Sequence, residues 1–104
     1  MSERDWQHQV AAFMCRHELE HSATTHMLDL VSEVGELAKE LLLATDYGRE
    51  PLKSSGAILE ELGDTLYSLL AVAETCGLNA GDALGLALEK YEIRLNFHDR
   101  AGSQ

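Results

Sequence analysis

The chain has 104 residues, with 18 acidic side chains against 8 Lys and Arg and a net charge of −10, a balance that argues against nucleic-acid or anionic-membrane binding through the bulk field. This length predicts one domain over residues 1–104, burying roughly 65% of its unfolded surface. The 18 Leu and 12 Ala against 4 Val and 2 Ile favour an all-α fold, and the longest apolar runs, residues 41–44 and 69–73, are too short to span a bilayer.

In chain order, helical periodicity first spans residues 5–20 and gathers Trp6, Val10, Phe13, Met14 and His17 on one side. The polar start MSERDWQHQ has no signal-peptide core. Cys15 and Cys76 form no close-spaced metal or redox motif, so both are expected as reduced, buried thiols of a cytoplasmic protein. The end of the first helix carries His17-Glu18-Leu19-Glu20-His21. In this H-E-x-x-H pattern two His at i, i+4 grip zinc and the Glu acts as base. The surrounding residues argue against that chemistry. Ser22-Ala23-Thr24-Thr25-His26 has no Gly and brings its His one residue early for a metzincin, and His17 belongs to the apolar stripe. Glu18-x-x-His21 is also half of a di-iron bundle motif, but no second Glu-x-x-His follows. No functional zinc is expected here.

Ser22, Thr24 and Thr25 are cap-type residues that open a second helix running to about residue 45. On it Asp29, Glu33, Glu36 and Glu40 fall near one line, with Met27, Val31, Val34, Ala38, Leu41 and Leu42 opposite. Asp46-Tyr47-Gly48-Arg49-Glu50-Pro51 breaks the pattern, and Ser54-Ser55-Gly56 extends the loop. A third helix is predicted over 57–75, with Leu59, Leu62, Leu66, Leu69, Leu70 and Ala73 opposite Glu61, Asp64 and Ser68. Gly77 is its stop. Asn79 caps a fourth helix, with Asp82 three residues on, reaching about residue 98 before a frayed AGSQ tail. Short connections between four helices predict an antiparallel bundle.

The strongest signal occurs twice. SEVGELA (32–38) and EELGDTL (60–66) superpose with a shift of 28 as acid-apolar-Gly-acid, Glu33-Val34-Gly35-Glu36 on Glu61-Leu62-Gly63-Asp64. Positions i and i+3 share a helix face about 5–6 Å apart at Cβ, so each pair can offer two carboxylates to one cation. An ordinary solvated face also carries acids opposite an apolar stripe, but three details depart from it. Asp29–Glu33 and Glu36–Glu40 are like-charge pairs, each costing roughly 0.2–0.5 kcal/mol. Gly35 and Gly63 each cost about 1 kcal/mol inside a helix, which suggests close approach of a helix or ligand. Clustered carboxylates repel unless a cation offsets them, and magnesium, hard and oxygen-seeking, fits such a cluster.

At these residues, EVGELAKE and EELGDTLYSLL, the chain resembles the MazG-like all-α nucleotide pyrophosphohydrolases over roughly residues 25–94. The resemblance implies a four-helix bundle assembling as a dimer or dimer of dimers. It implies Mg²⁺-dependent hydrolysis of nucleoside triphosphates to monophosphate and pyrophosphate by water attack at the α-phosphorus, with Mn²⁺ as a possible substitute and nucleotide-pool house-cleaning as the role. By carry-over Glu33, Glu36, Glu61 and Asp64 are the metal ligands. Lys90 and Arg94, at i, i+4 on the fourth helix, would meet the phosphates, with Arg49 and Lys53 of the Pro51 loop as weaker candidates. Base recognition is not legible in the sequence: His26 or Trp6 could stack on a base, but packing is the favoured reading of both. The chain departs from the pattern twice. Ser32-Glu33 stands where many members have two adjacent Glu, so the general base falls among Glu36, Glu40, Glu60 and the metal-bound water. Arg94 stands where relatives often have Asn. A competing reading of another class is a non-catalytic acidic bundle whose carboxylate stripes bind a basic partner. The acidic stripes, which a lone domain would leave on its surface, support a second subunit.

Overall fold

The computed structural model describes the backbone of residues 3–102 and the side chains of residues 6–97. It consists of α1 (Glu3–Arg16), α2 (Ala23–Ala44), α3 (Gly56–Thr75) and α4 (Ala80–Gly102), with no strand among the described residues, in agreement with the all-α expectation. The fourth helix runs past its expected end near residue 98 as far as Gly102; Ser103 and Gln104 of the expected tail lie outside the described residues. No helix is long and apolar enough to cross a membrane among the described residues.

Side-chain oxygens start three of the helices. Ser22 Oγ accepts from Thr25 N–H at 3.2 Å, Ser55 Oγ from Ile58 N–H at 3.3 Å and Asn79 Oδ1 from Asp82 N–H at 2.8 Å, each satisfying an amide the helix leaves unpaired. The first three helices stop with one device, a residue in left-handed conformation followed by a paired set of backbone bonds. For α1, Leu19 N–H donates to Met14 C=O and Glu18 N–H to Cys15 C=O; for α2, Tyr47 N–H donates to Leu42 C=O and Asp46 N–H to Leu43 C=O; for α3, Leu78 N–H donates to Ala73 C=O and Gly77 N–H to Glu74 C=O. The pivots are Glu18 (φ 55°), Asp46 (φ 47°) and Gly77 (φ 69°). Gly77 is the stop that the sequence advertises. The other two carry side chains in a conformation that disfavours them.

The first stop changes the reading of H-E-x-x-H. Helix α1 ends at Arg16, four residues short of its expected end, and His17 through His21 form the turn and the extended link beyond it. The two His therefore do not face each other across one helical turn. His17 instead packs its ring 4.6 Å from that of Phe13.

The paired helices α2 and α3 dominate the packing, and their seam is not the expected one. The residues buried or half-buried along it are His26, Leu30, Glu33, Leu37 and Glu40 on α2, and Ile58, Glu61, Thr65, Ser68 and Val72 on α3. Both sets recur at alternating steps of three and four, the spacing of a helix–helix contact. The acidic stripe thus lies in or beside the seam. Most of the apolar stripe that was expected to form the core looks outward: Val31 is 58% exposed and Leu59 72%, and Met27, Val34, Leu62 and Leu69 are also open. On each helix this stripe lies about 100° round from the seam in the same sense, which in an antiparallel pair puts both on one side. The result is a continuous apolar face that is left open among the described residues.

Helix α1 covers another side of α3. Phe13 meets Tyr67 edge-on, ring centroids 6.0 Å apart. Gln7 reaches the α3–α4 turn from the same helix: its Nε2 donates to Glu74 Oε2 at 2.9 Å and Leu78 C=O at 2.8 Å, and its Oε1 accepts from Ala80 N–H at 2.8 Å. Met14, Leu70 and Ala71 are buried. Helix α4 touches α1 and α3 only lightly and makes no backbone contact with α2 among the described residues. The chain is consequently open. Its accessible surface is 8008 Å², against about 5,800 Å² for a compact monomer of 11.5 kDa, and its radius of gyration is 17.4 Å against about 13 Å. Cys15 and Cys76, expected to be buried, are exposed free thiols.

Relieving the left-handed strain at the α1 stop gives a test of these assignments. Glu18→Gly should raise stability by about 1 kcal/mol, because Gly enters that region without the Cβ penalty. Chemical denaturation at fixed protein concentration measures it. A loss of stability would mean that the Glu18 side chain contributes a contact that the turn geometry does not account for.

Candidate metal centre

Three of the four motif carboxylates, Glu33, Glu61 and Asp64, come together at the seam because the repeated acid-apolar-Gly-acid unit occurs once on each of the two helices. Glu33 and Glu61 are half-buried in the contact between α2 and α3. Glu36 and Asp64, one turn on, are exposed and flank the seam on the side away from the apolar face. Glu33, Glu61 and Asp64 each present an oxygen within 4.8 Å of the other two. Glu36 stands outside that set, yet its charge is felt by Glu61.

Glu61 is the most perturbed of the four. Its pKa is raised above the ordinary value of 4.5 first by loss of solvent, then by a hydrogen bond shared with Glu33, then by the charges of Glu33, Asp64 and Glu36. Its Oε2 is shielded from solvent and has no hydrogen-bond partner. Among the described residues the ion pair formed is Arg49–Asp46, at 4.0 Å in the loop, so no basic side chain pairs with these acids.

This arrangement suits a divalent cation. A solvent-shielded carboxylate oxygen without a donor is costly, and a cation would supply the missing partner. Oxygens on opposite sides of one magnesium stand about 4.2 Å apart, so three oxygens within 4.8 Å need only small side-chain movements to share one. An all-carboxylate set is the hard-oxygen chemistry of Mg²⁺ or Mn²⁺ rather than of zinc.

The other residues singled out in the sequence lie apart from this cluster. His26 is buried, its Nε2 accepting from His21 N–H at 3.2 Å. It holds the start of α2 and offers no ring face to a base. Trp6 is 43% exposed on α1. Glu40 lies two turns from Glu33 and lines a separate cavity of about 460 Å³ with Asp46, Glu50 and Lys53. Arg49 is engaged by Asp46. Glu60 is exposed beside Glu61. Lys90 and Arg94 lie on the outer part of α4, each near the Tyr91 ring, 5.3 and 5.9 Å from its centroid, on a helix that makes no backbone contact with α2 among the described residues. Among the described residues nothing makes the close approach expected over Gly35 and Gly63: a Cβ at either would meet nothing within 4 Å.

The placement of Glu33 and Glu61 inside the seam was missed from sequence. The signal that could have found it is the 26-30-33-37-40 spacing, which is as regular as that of the apolar stripe. Gln7 was also missed, since a lone Gln on an amphipathic helix carries no signal of its own.

The profile of a family described as "MazG nucleotide pyrophosphohydrolase domain" matches residues 21–97. Among solved structures the chain is similar to the "putative pyrophosphatase YPJD from Bacillus subtilis", at 27% identity and a TM-score of 0.72, over 88% of this chain and 93% of that one. No curated protein matches the sequence.

The raised pKa of Glu61 sets the sign of a pH effect on the metal-free protein. Below about pH 4.5 Glu61 is protonated in both the folded and unfolded chain. Above its raised folded value it is ionised in both. Between the two the folded state holds a proton that the unfolded state has lost, so stability falls as pH rises through that window. Thermal melts in EDTA should show this decline, and Glu61→Gln should flatten it. Melts of wild type and variant with identical pH dependence would remove Glu61 from a crowded acidic cluster.

Proposed function

The chain belongs to the MazG nucleotide pyrophosphohydrolase family, and from that premise we propose that it hydrolyses nucleoside triphosphates to monophosphate and pyrophosphate with a divalent cation, Mg²⁺ or Mn²⁺. The observation that carries this reading is the convergence of Glu33, Glu61 and Asp64 from the two copies of one motif, with a solvent-shielded oxygen of Glu61 left unpartnered. An acidic surface that merely binds a basic partner gives no reason to bury that carboxylate.

Glu33, Glu36, Glu61 and Asp64 would hold the cation, which when bound stabilises charge on phosphate oxygens and acidifies water. The remaining chemistry belongs to the chain. A water oxygen attacks the α-phosphorus, the bond to the bridging oxygen breaks and pyrophosphate departs. The water proton passes to a carboxylate at the edge of the cluster. Exposure beside half-buried acids supports Glu36 and Glu60 in that role, ahead of Glu40, which lies two turns along and lines another cavity. Lys90 and Arg94 are the cations for the leaving phosphates, ahead of Arg49, which Asp46 already engages, and of Lys53. The open apolar face on α2 and α3 supports a homodimer or a dimer of such dimers, since a patch of this kind on a lone chain is a liability in water. Removal of unwanted nucleotides in the cytoplasm is the biological role this chemistry fits.

Two measurements check the proposal. With a panel of canonical and modified triphosphates and Mg²⁺, the products should be monophosphate and pyrophosphate; orthophosphate as the first product would place attack at the γ-phosphorus and refute it. Asp64→Asn should lower kcat/KM by about a hundredfold or more, at the upper end of what loss of even an outer-sphere metal contact costs. Near-normal turnover in that variant would remove Asp64 from the cation site.

A further inference from the structure

We propose that His21 and His26 form a histidine staple at the start of α2, closed while the His26 ring is neutral and opened by a proton, so that the α1–α2 link is fastened to the helical pair in a pH-sensitive way.

Ser22 is the N-cap of α2. His21 and His26 therefore occupy the position before the cap and the fourth position after it, where two apolar side chains ordinarily pack together and fix how the chain enters a helix. Here the two rings stand 5.6 Å apart, and the fastening is a hydrogen bond: His21 N–H donates to His26 Nε2 at 3.2 Å. The backbone of His26 is tied down as well, its N–H donating to Ser22 C=O at 3.1 Å. A backbone amide keeps its proton. Nε2 must then offer a lone pair, which leaves the ring proton on Nδ1. The bond exists in one protonation state of one tautomer.

A second proton removes it. Imidazolium carries N–H at both nitrogens, so an N–H would point at the N–H of His21. The residue is only 4% exposed, and the surroundings do not favour a cation. On the link, Glu18 and Glu20 are exposed, and the titratable side chain turned toward the ring is His21, itself a base. On α2, Asp29 lies one turn on and is exposed. Two turns back from Glu33 on α2 and two turns on from Glu61 on α3, the bond between those acids sets a register that puts Ser68, buried and uncharged, opposite His26. The titratable groups at that end of α3 are engaged or open: Tyr67 meets Phe13, Glu74 accepts from Gln7 and Cys76 is exposed. From α1, which has no backbone contact with α2 among the described residues, Cys15 and Arg16 are exposed and His17 stacks on Phe13. Among the described residues no carboxylate pairs with His26, and the first turn of a helix is its positive end. The proton therefore binds the open form, and acid favours opening across the span of about pH 8 to 5 in which histidines act as switches. Opening frees the link from α2, while Gln7 and Phe13 keep α1 docked on the rest of the chain.

Nuclear magnetic resonance of the full-length ¹⁵N-labelled chain tests the staple, in a His21→Gln background so that the ring at position 21 does not titrate beside the amide being read. At about pH 7.5, within the switching range of histidine, long-range ¹⁵N correlations should show His26 with its proton on Nδ1. As pH is lowered to about 5.5, the backbone amide at position 21 should lose its hydrogen-bonded shift in step with protonation of the His26 ring. Its solvent exchange, corrected for the intrinsic pH dependence, should rise by about tenfold, the size of one net hydrogen bond. Adding His26→Gln puts a non-titrating acceptor near the place of Nε2, and the position-21 amide should then stay protected over the same range. A neutral His26 with its proton on Nε2 overturns the proposal. So does a position-21 amide that stays protected while the ring titrates, or one that opens equally in the His26→Gln chain. If His26→Gln fails to fold, the tautomer and the joint titration in the chain that keeps His26 decide the matter.

Discussion

Everything in this molecule follows from putting carboxylates into a helix–helix contact. A seam between two amphipathic helices is ordinarily where the apolar residues go, because burial of each large side chain stabilises by roughly 1.5–3 kcal/mol. Here α2 and α3 meet through His26, Glu33, Glu40, Glu61, Thr65 and Ser68 together with a few aliphatic residues. Such a contact is held together poorly by itself. Loss of solvent first, and then the neighbouring carboxylates, raise the pKa of Glu61. The arrangement makes sense as a cation site built where it gains most, between two rigid elements that fix the donors and restrict water.

Placing the acids inward forces the apolar stripes outward. Only Met14, Leu30, Leu70 and Ala71 form the buried apolar core among the described residues, too little for a domain of this length to stand alone. Most of the apolar surface of α2 is left on the outside among the described residues. Gly35 and Gly63 have open space over them and border the apolar stripes, so no packing among the described residues requires their small size.

Much of this was legible in the sequence, and the exceptions have physical causes. The Leu- and Ala-rich composition, the polar caps and Gly77 marked four helices and most of their limits, since these depend on neighbours in the chain. The duplicated Glu33-x-x-Glu36 and Glu61-x-x-Asp64 marked the cluster, because helical spacing alone puts each pair on one face. The reading failed where a tertiary choice overrode a local rule. Helix α1 stops at Arg16 because Glu18 adopts a backbone conformation that its side chain disfavours, and no residue type announces that. The orientation of α2 and α3 was inverted because two equally regular stripes compete for the seam, and periodicity counts stripes without saying which one faces inward.

The Gln7 clasp bears on how the chain is made. Its bonds join residues 67, 71 and 73 positions apart, and α1 has no backbone contact with α2 among the described residues. During synthesis the first helix therefore leaves the ribosome before the surface it docks on within this chain. Its docking surface, Tyr67 through Ala80, is translated only after the whole of α2 and most of α3. The α2–α3 hairpin, closed by local contacts, can form first, and α1 then docks backward across it. Until that moment Val10, Phe13 and Met14 lack the α3 surface they pack on, which makes the docking of α1 the step that waits on the longest stretch of chain.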